Sequence, residues 1–263
     1  MMEWWNELLL RQSLLARSGA IFLLAALAFF VLMQIDGRTV LQHNTWFKPL
    51  KFSLSIGVYF LSLAWFWPWW GKTPGMSAIA VAICALLFIE MIIIAFQAAR
   101  AVPSHFNTTN ALNSALFGIM GVAIFINTII VLYLALTATF GTPEIAAGAA
   151  PGPGQKVGWQ IGLWVFIAGS LLGFLMGRLM SHSVGPENVA DAMPVTGWNR
   201  TGGDIRIAHF FGLHALQALP FLGWCSDVVF PRAAIVLTLI AGVACVSFTG
   251  LMLWYALQGK SFF

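Results

Sequence analysis

The sequence predicts an all-α membrane protein: a polytopic bundle of seven transmembrane helices preceded by an amphipathic N-terminal helix. Three observations carry this. Of the 263 residues, 60% are hydrophobic and 8% are charged, whereas soluble domains carry roughly a quarter charged residues. Several apolar runs reach the roughly 20 residues that cross a bilayer. With so little polar surface, backbone groups in lipid must pair within their own segment, which selects helices. The alternating pattern of a membrane barrel is absent. The 12 Trp fit interfacial belts, where an amphipathic ring prefers the headgroup level.

Residues 1–18 are too polar to span. Trp4, Trp5, Leu8, Leu9 and Leu15 recur at roughly helical spacing, with Glu3, Glu7, Arg11 and Arg17 between them. This predicts an amphipathic interfacial helix, and its acidic, Trp-rich start does not fit a signal peptide. Residues 19–263 are expected to form a single seven-helix transmembrane domain. Its spans are placed at about 20–35, 52–70, 76–99, 114–137, 158–176, 205–224 and 232–257. The connector GTPEIAAGAAPGPGQK between the fourth and fifth is rich in Gly, Ala and Pro and reads as flexible.

Polar residues sort unequally among the loops. The first, third and fifth inter-helix loops share one side of the bilayer. They hold Asp36, Arg38, His43, Asn44, Lys48 and Lys51; Arg100, His105 and Asn107; and Arg178, His182, Glu187, Asn188, Asp191, Asn199 and Arg200. The sixth span starts on that side and carries His209 and His214, so all five histidines are expected near one face. A repeated order of Arg, His, Asn follows the first, third and fifth spans, an echo that internal repeats or coincidence would both produce. Eight Lys or Arg fall on the odd-loop and C-terminal side and five on the other. The positive-inside rule then places the odd loops in the cytoplasm.

Glu90 is the sharpest single residue, because it sits between LLFI and MIII. A carboxylate at that depth costs several kcal/mol unless it is protonated or paired, and intramembrane ionisable groups are functional by default. Gln97 shares its face, and Arg100, His105 and Asn107 follow in the adjoining segment. Glu90 and His105 are the expected catalytic or proton-transfer groups; an interhelical bond that only locks packing is the bland alternative. His105, His182, His209 and His214 are the expected metal ligands. His209 and His214 are five residues apart, about 140° around a helix, so they cannot chelate alone as an i, i+4 pair does. Backbone-bonded neutral histidines are their bland alternative. Arg100, Gln97, Arg206 and Asn107 are the expected ligand-binding residues. Asp204, after Gly202-Gly203 and before an apolar run, is expected to be a helix N-cap. Lys48 and Lys51 are expected to anchor the second span at headgroup level, or else to attract an anionic lipid or quinone-like headgroup. Cys84, Cys225 and Cys245 show no metal spacing, and no basic domain supports nucleic-acid binding.

The segments EMIIIAFQAARAVPSHFN and RTGGDIRIAHFFGLHALQALP resemble a group of uncharacterised bacterial multi-pass inner-membrane proteins. The likeness covers about residues 43–224. It implies a bacterial inner-membrane protein of seven or so spans and brings no known activity. The chain departs from seven-span zinc hydrolases of the alkaline ceramidase type, whose late helix carries HxxxH. It also lacks the last-helix lysine of microbial rhodopsins.

Three functional expectations follow, in order. The first is a membrane-embedded enzyme or redox protein holding a transition metal ion or haem. The second is a proton-coupled transporter, or a receptor for a small molecule or lipid. The third is an accessory subunit of a membrane complex. Oligomeric state is left open, and the lipid bilayer is the one partner expected in every case.

Overall fold

The computed structural model describes residues 2–142, 144–145 and 149–263, Met2 by its backbone only. Among the described residues, seven helices are each long and apolar enough to cross a membrane. They are α1 (Met2–Ile35), α2 (Phe47–Phe66), α3 (Met76–Ala99), α4 (Ala111–Phe140), α5 (Pro153–Leu179), α6 (Ile205–Val229) and α7 (Ala234–Leu257). Two short antiparallel ribbons accompany them: β1 (Thr39–Val40) with β2 (His43–Asn44), and β3 (Ser183–Val184) with β4 (Gly203–Asp204). The protein is an all-α multi-pass membrane protein.

The chain folds as two compact units, Met1–Ile130 with Phe140–Ala150 and Val131–Thr139 with Pro151–Phe263. In the first, α1 is broken at Gln12 (φ −161°, ψ 97°). This kink precedes residue 18, and buried residues lie on both sides of it: Leu8 before, Leu15, Ala16 and Ser18 after. Ser18 Oγ lies 3.4 Å from Cys84 Sγ on α3. Arg11 pins the segment before the break: it bonds Glu7 and the Trp65 carbonyl and lies 4.2 Å over the Trp65 ring. Beyond it, Gly19 meets Gly57 of α2; a Cβ on Gly19 would stand 3.1 Å from the Gly57 carbonyl oxygen.

A two-residue turn joins α1 to α2 through β1 and β2, with Leu41 and Gln42 both at positive φ (49° and 64°). That is the turn geometry whose twist matches a hairpin. Arg38 donates to both Asp36 carboxylate oxygens and to the Ala99 carbonyl, and the Trp46 indole N–H donates to Asp36. The Arg38 guanidinium, and after it the Trp46 indole, hold the Asp36 carboxyl well below the usual carboxylate range. The stabilisation is present above the unfolded value of about 3.9 and is lost as pH falls through the lower folded value.

In the second unit, α5 and α6 touch backbone to backbone along one glycine seam. A Cβ on Gly158 would stand 2.6 Å from the Leu219 carbonyl carbon, on Gly162 2.8 Å from the Ala215 oxygen, and on Gly169 2.8 Å from the Gly212 carbonyl carbon. Small residues at such spacing are how helices approach closely in lipid, where apolar burial alone does not drive association. Asp227, near the end of α6, caps the start of α5 by accepting from the Gly154 and Gln155 amides, each at 2.8 Å.

The two units repeat one element order: helix, ribbon, helix, helix. Phe47 and Ile205, which open α2 and α6, stand 158 positions apart, as do Met76 and Ala234, and Ala99 and Leu257. The same offset joins Ala101 (φ 52°) to Gly259 (φ 66°). Each is the left-handed residue that ends its helix, with the next amide returning to Gln97 or to Tyr255. Gly57 and Ala215, the contact residues of α2 and α6, are related likewise. The repeat unit is thus three helices, and α4 lies between the copies. The Arg, His, Asn echo does not follow this repeat: His43 and Asn44 form β2, whereas His182 precedes β3 and Asn188 lies between β3 and β4.

Candidate functional site: a buried carboxylate and an imidazole

Glu90 lies nine residues before the end of α3, about 14 Å along the axis. Apolar neighbours make that stretch helical and bury it; the Glu90 side chain is 2% exposed. The chain then turns at Ala101 and returns toward α3, with a second left-handed residue at Phe106 (φ 56°). This return brings His105 Nε2 to 3.5 Å from Glu90 Oε1, with the imidazole side chain 25% exposed. His105 Nδ1 is 3.1 Å from Ser104 Oγ. Phenyl rings surround the imidazole: Phe52, Phe117 and Phe106 have centroids 5.7, 6.1 and 6.2 Å away. Lys48, in the first turn of α2, holds its ammonium 5.5 Å over the Phe52 ring.

The other carboxylate oxygen, Glu90 Oε2, is buried with no hydrogen-bond partner. A buried acceptor left unsatisfied costs about 1–3 kcal/mol, more when charged. A 3.5 Å separation is also longer than the 2.6–3.2 Å of proton transfer, though such contacts are often loose before a ligand arrives. The pair is therefore poorly made as a structural bond. In the second unit, Phe248 stands at the position equivalent to Glu90, again 158 residues on, and packs edge-on against Phe211 at 4.8 Å. The three-helix scaffold does not need an acid there.

Gln97, Arg100 and Asn107 form a separate polar layer. Arg100 donates to Gln97 Oε1 (2.6 Å) and Asn113 Oδ1 (3.1 Å), and Gln97 donates to Asn113 (3.0 Å). Asn113 donates to Thr109, which donates to Asn107, whose amide returns to the Pro103 carbonyl. These bonds hold the segment after α3, which carries His105, onto the start of α4, and they engage three of the four expected ligand-binding residues. Thr45 Oγ1 adds a buried bond to the Ala98 carbonyl.

The remaining expected site residues lie in the second unit. Asp204 is the N-cap of α6: it accepts from the Arg206 amide, from the Asn199 amide and from the Arg206 guanidinium at 2.5 Å. Arg206 also donates to the Gly197 carbonyl. It organises residues 185–202, which widen the second ribbon where the first has a two-residue turn. His209 Nδ1 lies 2.8 Å from the Gly169 carbonyl of α5, and His214 Nδ1 lies 2.8 Å from the Phe210 carbonyl. A carbonyl only accepts, so Nδ1 carries the proton in both. His214 also stacks on Phe210 at 4.1 Å. His182 Nδ1 is 3.0 Å from Ser183 Oγ and 3.8 Å from Glu187. Among the described residues, no group of three or more His, Cys, Asp or Glu is placed to hold a metal ion.

Sequence reasoning singled out Glu90 and His105, gave Lys48 to membrane anchoring or to the attraction of an anionic headgroup, and passed over Asn113 and Phe52. One signal was present: Lys48 and Phe52 share a face at i, i+4. Comparison with family models, with curated proteins and with solved structures finds no match.

Proposed function

We propose that this chain is a proton-coupled membrane transporter whose proton site is the Glu90–His105 pair. The observation that carries the reading is the half-satisfied, buried carboxylate facing an imidazole on a returning loop. A carboxylate and an imidazole so placed can share one proton, and imidazole titrates near physiological pH. The repeated three-helix unit supports the same reading. Both copies begin on an odd-numbered span, and same-direction repeats are one build of secondary transporters. The proposed location is a bacterial inner membrane with the odd loops, and hence His105, on the cytoplasmic side.

In this account the pair is also the latch of residues 101–110, so protonation moves the loop. Hydrogen exchange of those amides in lipid nanodiscs, corrected for intrinsic rate, is expected to change between about pH 5 and pH 8 in the wild type. In Glu90→Gln it is expected to be flat. An equal pH response in the two proteins would overturn the reading.

A further inference from the structure

Around Glu90 the structure gathers a cation, an imidazole and three phenyl rings, a setting that suits a second carboxylate as well as the one already there. Lys48 comes from α2, its ammonium 5.5 Å over the Phe52 ring that lies 5.7 Å from the His105 ring, and His105 comes from the loop; Phe52, Phe106 and Phe117 supply uncharged walls. Lys51 sits one turn beyond Lys48, 4.2 Å over the Phe47 ring. Glu90 itself uses this setting badly, reaching His105 with one oxygen at 3.5 Å and leaving the other unpartnered. The Glu90 equivalent in the second unit is Phe248, and Arg206, the equivalent of Lys48, is held by Asp204. The combination of cation, acid and imidazole therefore belongs to the first unit.

We infer that the Lys48–Glu90–His105 cluster binds a small apolar or aromatic monocarboxylate, which takes the place of the Glu90 carboxylate beside Lys48 and His105. Glu90 is then the internal stand-in for the substrate. Two carboxylates so close to one another do not both stay ionised, so Glu90 accepts one proton from solution as the anion enters. The anion's charge passes to Lys48 and His105, its apolar body lies among the phenyl rings, and net charge on the site is unchanged. This identifies the substrate class of the transporter proposed above, and it rests on Glu90 being a proton site.

Benzoate is a suitable probe. Titration calorimetry of the full chain in nanodiscs, run in two buffers of different ionisation enthalpy, gives affinity and protons taken up. The wild type is expected to take up one proton per benzoate, and Glu90→Gln is expected to bind benzoate with none. Lys48→Met should lose about tenfold or more in affinity, the loss of one charged hydrogen bond, and Lys48→Arg should retain binding. Benzyl alcohol and benzylammonium should bind at least tenfold more weakly than benzoate. Absence of saturable benzoate binding, equal binding of benzyl alcohol, wild-type affinity in Lys48→Met, or binding without proton uptake in the wild type would each overturn the inference. If the loop's hydrogen exchange still responds to pH through Glu90, only the anion site fails. If that response is absent as well, the proton site fails with it.

Discussion

Gly158→Ala is expected to destabilise the second unit by about 3 kcal/mol. The added Cβ would stand 2.6 Å from the Leu219 carbonyl carbon and closer still to its oxygen. Both are backbone atoms, so no rotamer change relieves the clash and the two helices must separate. Separation also strains the neighbouring close approaches at Gly162 and Gly169, and with them the His209 bond to the Gly169 carbonyl. The control is Gly118→Ala in α4, where nothing lies within 4 Å of an added Cβ. There the intrinsic helix preference of Ala over Gly, about 1 kcal/mol, favours the variant. Thermal unfolding in one detergent, followed by Trp fluorescence, should lower the midpoint of Gly158→Ala by many degrees and leave Gly118→Ala unchanged or higher. Equal midpoints would mean that α5 and α6 do not meet along this seam.

The second large effect separates the two partners of the buried pair. His105→Ala removes one partner of Glu90 and is expected to cost about 3 kcal/mol at neutral pH. Glu90→Leu removes the costly group itself. It should fold with wild-type stability or better, because replacing a buried charge by an apolar group of similar volume is often neutral or stabilising by about 1–4 kcal/mol. The repeat supports this, since Phe248 fills the same place in the second unit. The double variant should recover most of the His105→Ala loss. Glu90→Leu would also lose the pH response of residues 101–110. Loss of stability in Glu90→Leu comparable to that in His105→Ala would make the acid a packing element rather than a functional one.

Much of the fold was legible because the membrane imposes one rule. Each backbone amide must be satisfied within its helix, so a long apolar run such as 76–99 is enough, and α3 has those bounds. Helix ends in polar loops were less legible. The second span begins at Phe47 rather than near residue 52, since Lys48 and Lys51 place their ammonium groups over the Phe52 and Phe47 rings instead of stopping the helix. The Asp204 cap was readable from Gly-Gly-Asp ahead of an apolar run, as local chemistry usually is. The repeat was hidden for a physical reason: lipid-facing and packing positions accept any apolar residue, so the copies keep the element order, the starts of their second and third helices and the turn after the third, but little identity. It shows in spacing, in the paired left-handed residues Ala101 and Gly259, and in the glycine contacts.

At the site, Glu90 announced itself by the cost of burying an acid. Its contact with His105 did not, because fifteen residues and a reversal of direction separate them. Positive-φ Ala101 opens that reversal, and it is not the glycine that would have signalled it. In the second unit, His209 bonds the Gly169 carbonyl and Arg206 bonds Asp204 and the Gly197 carbonyl, contacts that residue type alone does not announce.

The most direct test of the central claim is pH-difference infrared spectroscopy of the wild type, Glu90→Gln and His105→Gln in lipid. A buried carboxylic acid has its own C=O stretch, which disappears on ionisation, so the signal reports Glu90 and not the loop. The expected result is a protonated-carboxyl band in the wild type that changes between about pH 5 and pH 8, where imidazole titrates. The band should be missing from Glu90→Gln and should change at a different pH in His105→Gln. A wild-type spectrum with no Glu90-dependent band that changes with pH over that range would contradict the account.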